Sequence, residues 1–267
     1  MAIRICVAGA TGWTGEAVTR AVLAAPDLTL VGAVARRAAG RDIGEELGMN
    51  AAGVIVQASV EEALAAEADV LIDYTAPQVV KSHVQAALAR GVRAVVGTSG
   101  LTAADYAEIE AFALAKELGV IAAGNFSITA ALAKHFALLA AGYLPTWEII
   151  DYAGASKVDA PSGTVQELAE ALGELRQPAI EVPTGEILGT PETRGGSIGG
   201  ARVHSVRLPS YVIAFETIFG LPDERLTIRH DAGSGAQPYV AGTLLAARKV
   251  KGVRGLVRGL DRLLFAQ

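Results

Sequence analysis

The feature that most restricts the possible folds is an alternation of two kinds of segment through the first half of the chain. Short, nearly continuous apolar runs alternate with longer stretches whose apolar residues recur at helical spacing. Such runs are typical of parallel strands covered on both faces, and the stretches between them predict the covering helices. The runs are IRICVAG (3–9), LTLVGAVA (28–35), GVIVQ (53–57), ADVLIDYT (68–75), VRAVVGT (92–98) and GVIAAGN (119–125). Because crossovers between parallel strands are right-handed, the pattern predicts a doubly wound α/β domain.

After residue 125 the pattern changes. The sequence predicts, in order, a helix over 127–144, a strand over 146–153, a helix over 165–175, an extended loop over 177–200 and antiparallel strands over 202–232. The last 25 or so residues are predicted to be helical and basic. A length of 267 residues allows one large or two modest domains, and the change of pattern favours two.

Composition argues against several classes of protein. A net charge of −5 is unlike the basic excess of nucleic-acid-binding proteins. No segment reaches the roughly 18 uninterrupted apolar residues of a membrane span, and the N-terminus is interpreted as a first strand rather than a signal peptide. The single cysteine, Cys6, excludes an internal disulfide and is expected in the core. We therefore expect a soluble cytoplasmic protein.

The four histidines do not suggest a metal centre. No pair has the spacing of metal ligands, so no catalytic metal is predicted. His83 and His135 fall on predicted helices and are interpreted as structural. His204 and His230 fall on predicted strands, and His204 could approach a ligand cleft.

A glycine-rich loop, GATGWTG, follows the first predicted strand and precedes the first predicted helix. Gly9, Gly12 and Gly15 have the spacing G-x-x-G-x-x-G. Glycines at this junction let the backbone approach a pyrophosphate, and the helix N-terminus supplies N–H groups. The loop therefore predicts dinucleotide binding; a tight turn without a ligand is the alternative. The predicted contacts are Gly9, Thr11, Gly12, Trp13, Thr14 and Gly15.

The end of the second predicted strand indicates which nucleotide is preferred. An acidic residue about 20 positions after the glycines would bind a ribose 2′-hydroxyl and favour NADH. Ala35 stands at that position here, and Arg36 and Arg37 follow it. Because arginines pair with phosphates, we predict NADPH in preference to NADH. The alternative is that both arginines are ordinary solvated charges.

Three further loops follow predicted strands of the same domain. Ligands bind at the carboxyl ends of strands in doubly wound sheets, so these loops are expected to surround the nicotinamide. Their predicted cofactor contacts are Tyr74, Thr75, Gly97, Thr98, Ser99, Asn125 and Phe126.

The segment SKVDAPSGT (156–164) predicts a second ligand site. It places Lys157 shortly before a turn of small residues, Ser162-Gly163-Thr164, and a predicted helix follows. Backbone N–H groups that open a helix, together with a nearby cation, suit an anionic ligand. A surface lysine and an ordinary helix N-cap are the alternatives.

The order of these motifs resembles the 4-hydroxy-tetrahydrodipicolinate reductase (dihydrodipicolinate reductase) family. The matching stretches are VAGATGWTG, IDYTAP, VVGTSGL, AAGNFSI, KVDAPSGT, RVHSVRLP and ERLTIRHDA. The resemblance implies a Rossmann domain over 1–126 and 240–267, and a central α+β domain with a mixed sheet over 127–239 that builds a homotetramer. It also implies NAD(P)H-dependent reduction of a cyclic imine dicarboxylate in lysine biosynthesis.

The resemblance also assigns roles to individual residues. Lys157 is similar to the family lysine that contacts substrate and assists protonation, and Ser162, Gly163 and Thr164 are similar to the turn that binds a substrate carboxylate. The loops at Gly97-Thr98 and Asn125-Phe126 are similar to those around the nicotinamide. A cation near the imine nitrogen suits this chemistry, because negative charge develops there as hydride arrives at carbon.

Two positions depart from the family pattern E-x-H-H-x-x-K. Ala153 and Gly154 stand where the family has two histidines, the first of which is its general acid. The family arginine after RHDA is also missing from 233–242. Lys157 is therefore the first candidate proton donor, with Tyr152 and Ser156 as alternatives. Two other functions stay open at this point, namely an imine reductase or amine dehydrogenase with a less anionic substrate, and a non-catalytic NADP(H)-binding protein.

Overall fold

The computed structural model describes residues 2–265, which divide into two compact units. The first contains the described residues up to Ile128 and those from Ala236 onward, and the second spans Thr129–Gly235. The predicted domain boundaries, after residues 126 and 239, lie a few residues away from these. The assignment of the first domain to the cofactor and of the second to the substrate and to oligomerisation stays a prediction.

The first unit begins with six strands that alternate with helices. The elements are β1 (Ile3–Ala8), α1 (Trp13–Ala24), β2 (Leu28–Val34), α2 (Ile43–Glu46), β3 (Val56–Gln57), α3 (Val60–Ala63), β4 (Val70–Asp73), α4 (Pro77–Ala89), β5 (Arg93–Val96), α5 (Ala103–Ala115) and β6 (Gly119–Ala122). Each predicted apolar run contains one of these strands. Ile5, Cys6, Val7 and Ala8 are fully buried, as expected for a strand covered on both faces.

The second unit packs two helices on one face of a mixed sheet. Its elements are α6 (Ile128–Ala141), β7 (Thr146–Ala153), α7 (Gly163–Leu175), β8 (Gly196–Ile198), β9 (Ala201–Arg207), β10 (Ile213–Leu221) and β11 (Glu224–Ala232). The strand order is β11-β10-β7-β9-β8. Buried residues of β7, among them Trp147 and Ile149, pack with residues of α6 and α7 in one apolar core.

The prediction of antiparallel strands over 202–232 is correct for β10 and β11 and holds for only one side of β9. β10 pairs antiparallel with β7 and β11, whereas β9 pairs antiparallel with β8 but parallel with β7. The helix α7 lies between β7 and β9 in the chain and provides the crossover that a parallel pair requires. Alternation of side chains is the same in both directions, so the sequence pattern could not distinguish them.

The end of the chain returns to the first sheet. It forms α8 (Gln237–Lys249), β12 (Gly255–Arg258) and α9 (Leu260–Phe265). The purely helical prediction is therefore wrong at β12, which pairs parallel with β6 and completes a seven-stranded parallel sheet, β12-β6-β5-β4-β1-β2-β3. The four residues GLVR are too few to show a strand pattern between two helices. The predicted fold class, a doubly wound parallel sheet of the Rossmann type plus an α+β part with a mixed sheet, is confirmed.

Candidate active site

A cavity of about 790 Å³ opens in the first unit at the glycine loop. Six predicted cofactor residues line it: Gly9, Thr11, Gly12, Arg36, Arg37 and Thr75. Arg36 and Arg37 are exposed, and neither makes a hydrogen bond or an ion pair with another described residue. Arg41, close by in sequence, is instead paired with Glu46 at 2.8 Å. Two unpaired guanidinium groups at the cavity suit an anionic ligand.

The glycine loop is packed so tightly that side chains are excluded from it. Gly9 has φ +80°, and a Cβ there would lie 2.1 Å from the carbonyl oxygen of Tyr74. A Cβ at Gly15 would lie 1.9 Å from the carbonyl oxygen of Gly9. Gly12 is the N-cap of α1 and has no side chain, so it cannot itself compete with a ligand for the first-turn N–H groups. The loop and the N-terminus of α1 therefore fit a dinucleotide pyrophosphate.

Nine predicted cofactor residues lie outside the wall of this cavity: Trp13, Thr14, Gly15, Tyr74, Gly97, Thr98, Ser99, Asn125 and Phe126. Trp13 is 58% exposed and meets the ring of Tyr239 edge-on, with centroids 5.8 Å apart. Phe126 is buried, so its side chain belongs to the core and only its backbone could face a ligand. Asn125 accepts a hydrogen bond from the backbone N–H of Ser127 at 2.8 Å.

Tyr74 and Gly97 are pressed against each other. A Cβ at Gly97 would lie 2.1 Å from the ring of Tyr74, whose hydroxyl is 2.6 Å from that of Thr243. Burial raises the pKa of Tyr74 well above its ordinary value. Gly97 is therefore required for the packing of the loop, whatever its role toward a cofactor.

Asp73, at the end of β4, connects the loops of this unit. It is fully buried, and its Oδ1 accepts hydrogen bonds from the hydroxyls of Thr98 at 2.6 Å and Thr75 at 2.7 Å. Its Oδ2 lies 2.8 Å from Nδ1 of His83, a residue that also lines the cavity. Sequence reasoning did not assign Asp73 a role and placed His83 in a structural one. The available signal was an acid that closes an apolar strand.

The turn predicted to bind an anion lies at the N-terminus of α7 in the second unit. Ser162 occupies the N-cap position of α7, but its side chain makes no capping bond. Gly163 is exposed and Thr164 is half-buried. Lys157 lies just upstream, where its ammonium is 2.7 Å from a carboxylate oxygen of Asp159. The structure thus keeps the cation and the turn within one short segment.

Asp151 is the buried partner of this turn. Its carboxylate is fully buried and accepts hydrogen bonds from the Ser162 hydroxyl at 2.7 Å and the Ser162 N–H at 2.9 Å. Arg207 donates to the same carboxylate at 2.7 Å and to the carbonyl oxygen of Asp159 at 2.7 Å. Sequence reasoning missed Asp151 and Arg207 as a pair. Asp151 is an acid inside an apolar strand pattern, two residues before the end of β7, but nothing in the sequence indicates its distant partner.

The positions of the missing histidines contain no protic side chain. Ala153 is buried at the end of β7, and a Cβ at Gly154 would lie 3.3 Å from the carbonyl oxygen of Tyr211. Tyr152 points to the opposite face of the strand from Asp151, since successive side chains alternate.

The Tyr152 hydroxyl donates to Glu216 at 2.6 Å. Burial and that hydrogen bond raise the pKa of Tyr152 to about 12. Its direction and its bound hydroxyl count against Tyr152 as the proton donor.

Among residues 2–265, no three histidine, cysteine, aspartate or glutamate side chains are grouped so that they could hold a metal ion. No helix in the same part of the chain is both long and apolar enough to cross a membrane.

Comparison with protein families matches both halves of the chain. Residues 3–126 match "Dihydrodipicolinate reductase, N-terminus", and residues 126–264 match "Dihydrodipicolinate reductase, C-terminus". The chain is 42% identical to a 4-hydroxy-tetrahydrodipicolinate reductase of Desulfitobacterium hafniense, with 98% of each chain covered.

Comparison with solved structures agrees. A dipicolinate-bound dihydrodipicolinate reductase from Paenisporosarcina sp. TG-14 superposes with a TM-score of 0.82 and 32% identity, over 98% of this chain and 100% of that one. An amine dehydrogenase from Mycobacterium smegmatis has a TM-score of 0.69 at 16% identity, over 97% and 95% of the two chains, which shows a shared fold only.

Proposed function

The chain belongs to the dihydrodipicolinate reductase family, and we propose that it reduces a cyclic imine dicarboxylate with NAD(P)H, as 4-hydroxy-tetrahydrodipicolinate reductases do in lysine biosynthesis. The observation that carries the proposal is the turn at Ser162, which opens α7 without a side-chain cap and follows Lys157 closely in the chain. An uncapped helix N-terminus and a cation together suit a carboxylate on an imine.

The proposed chemistry divides between the cofactor and the protein. The bound nicotinamide supplies a hydride to the imine carbon. Lys157 stabilises the negative charge that develops on nitrogen and donates a proton to it. Asp159 holds the Lys157 ammonium in place, and Ser162-Gly163-Thr164 binds a substrate carboxylate. Lys157 replaces the family histidine because Ala153 and Gly154 have no proton to give.

We propose NADPH as the preferred cofactor. Arg36 and Arg37 line the cavity at the end of β2 and are free of protein partners among the described residues, which supports contact with a 2′-phosphate. The glycine loop and α1 hold the pyrophosphate. The loops that contain Tyr74-Thr75, Gly97-Thr98-Ser99 and Asn125-Phe126 surround the nicotinamide, with Phe126 contributing backbone only.

A homotetramer in the cytoplasm is also proposed. In support, helices α6 and α7 cover one face of the second sheet, while Ile150 and Ile218 on the other face are only partly buried within one chain. Light scattering coupled to gel filtration tests this, and a monomer at micromolar concentration would contradict it.

The proposed activity is tested by NADPH oxidation with freshly generated 4-hydroxy-tetrahydrodipicolinate. We expect turnover that saturates with substrate. Tight NADPH binding with no turnover on this substrate would contradict the proposal, and activity only on other imines or on carbonyl–ammonia pairs would replace it.

A further inference from the structure

We propose that Asp151 and Arg207 are positioning residues for the substrate turn. Asp151 holds the Ser162 hydroxyl away from the N-terminus of α7, and Arg207 ties the turn to the segment that contains Lys157. The inference rests on the proposed function of that turn. Neither residue need touch the substrate.

The Ser162 hydroxyl does not cap helix α7. A serine at an N-cap ordinarily accepts a hydrogen bond from a backbone N–H in the first helical turn. Ser162 has the extended backbone of an N-cap, with φ −63° and ψ 153°, yet it makes no such bond. Its hydroxyl donates to Asp151 instead, at 2.7 Å, and its N–H donates to the same carboxylate at 2.9 Å. The first contact fixes the direction of the hydroxyl, and the second holds the backbone of the same residue against Asp151.

The direction of the Ser162 hydroxyl affects the backbone N–H groups at the N-terminus of α7. A capping hydroxyl would compete with a ligand oxygen for the first-turn N–H groups, which form the positive end of the helix. With the hydroxyl of Ser162 held by Asp151, that competition is removed. The helix N-terminus is thereby prepared to receive a carboxylate before the substrate arrives.

The negative charge of Asp151 is balanced by Arg207. A buried carboxylate close to an anion site would repel the ligand and would itself be costly without a cationic partner. Arg207 supplies that partner at 2.7 Å, and its side chain is only 16% exposed. The positive charge of Arg207 therefore offsets Asp151 where an anionic ligand is expected.

Arg207 and Asp159 connect the turn to Lys157. Arg207 also donates to the backbone carbonyl of Asp159 at 2.7 Å, while the Asp159 carboxylate lies 2.7 Å from the Lys157 ammonium. A continuous series of contacts thus runs from Ser162 through Asp151, Arg207 and Asp159 to Lys157. Displacement of Arg207 would move the proton donor and the carboxylate site relative to each other.

The test compares Asp151→Asn with wild type, using KM and kcat for the imine and the Kd of pyridine-2,6-dicarboxylate measured by calorimetry on the full chain saturated with NADPH. We expect KM and this Kd to rise at least tenfold, because the asparagine amide cannot satisfy both Ser162 and Arg207. The Kd of NADPH should stay within twofold. Ile149→Val is the matched control, since it removes a buried methyl group from the same strand and should lower Tm without changing KM.

Arg207 variants give a second, independent readout. Arg207→Lys keeps the charge next to Asp151 but cannot also reach Asp159, so we expect a smaller rise in KM than in Arg207→Met. This partial rescue would not follow from a merely structural role. It also carries the test if Asp151→Asn fails to fold.

The outcomes separate the two proposals. Unchanged KM and dicarboxylate Kd in folded Asp151→Asn, or in Arg207→Met and Arg207→Lys if Asp151→Asn does not fold, would overturn the positioning role while leaving the proposed function intact. Wild-type protein that neither turns over the imine nor binds pyridine-2,6-dicarboxylate would overturn the proposed function, and the positioning role with it.

Discussion

Asp73 in the first unit and Asp151 in the second are both fully buried near the carboxyl end of a strand, but they have different partners. Asp73 is bound by threonine hydroxyls and a histidine, whereas Asp151 is bound by two serines and an arginine. Both carboxylates organise the loops that follow neighbouring strands. The two acids therefore differ in charge balance, because Asp151 has a permanently charged partner, Arg207, whereas the partners of Asp73 among the described residues are hydroxyls and a histidine.

The physical reason lies in where each acid sits. A buried carboxylate needs hydrogen-bond donors, and both residues have them. Asp73 orients loops beside a cavity that already contains two unpaired arginines. Asp151 lies directly behind a turn proposed to bind an anion, so a permanent cation, Arg207, is needed to offset its charge.

The largest effect is expected from Lys157, the proposed proton donor of the second unit. Lys157→Ala should lower kcat/KM by about 10²-fold or more, since general acid assistance is typically worth that much. The NADPH Kd should not change. Steady-state kinetics and a binding titration measure both quantities, with the exposed Lys251→Ala as the control. A loss of less than threefold would assign proton donation to another group.

The next largest effect is expected at Arg36 and Arg37, in the first unit. Replacing Arg36 and Arg37 together by alanine should raise the NADPH Kd by roughly tenfold or more, because two charge-assisted contacts to a phosphate are lost. NADH binding should change by less than about twofold, as it carries no 2′-phosphate. Fluorescence titration with both nucleotides gives the comparison. Arg41→Ala, which breaks a pair with Glu46, is the control, and equal effects on NADPH and NADH would refute the assignment.

A smaller effect is expected from His83, the partner of Asp73. His83→Ala should raise the NADPH Kd several-fold, because Asp73 loses a donor and its loops lose one restraint. The imine KM should be unaffected at saturating NADPH. His135→Ala, a histidine on α6, serves as the control for histidine loss, and an unchanged cofactor Kd in His83→Ala would restrict Asp73 to a structural role.

The smallest expected effect is on the change in thermal stability between neutral and mildly acidic pH. Burial lowers the pKa of His230, in the second unit, below its usual 6.5. The folded state then favours neutral imidazole, and its stability contribution is present above pH 6.5 and declines as pH falls below it.

His230→Gln should therefore lose less Tm than wild type between pH 7 and pH 5, by only a few degrees. Thermal melts over this range test the expectation. A steeper decline in the variant would mean that another group governs the acid response.

Much of this arrangement could be predicted from local sequence patterns. The glycine loop, the apolar strands and the KVDAPSGT turn each combine a recognisable spacing with a neighbouring element. The strand β12 was missed because four residues between helices carry too little pattern. The pair of Asp151 and Arg207 was missed for another reason, since its members are 56 positions apart and only the parallel pairing of β7 with β9 brings them together.

The most direct test measures the NADPH Kd and the imine KM side by side for Asp73→Asn and Asp151→Asn. If the two acids organise separate sites, Asp73→Asn raises the NADPH Kd at least fivefold with little change in KM at saturating cofactor. Asp151→Asn raises the imine KM with little change in the NADPH Kd. If each variant instead raises both quantities to a similar extent, the two buried acids stabilise the fold in general and the account is contradicted.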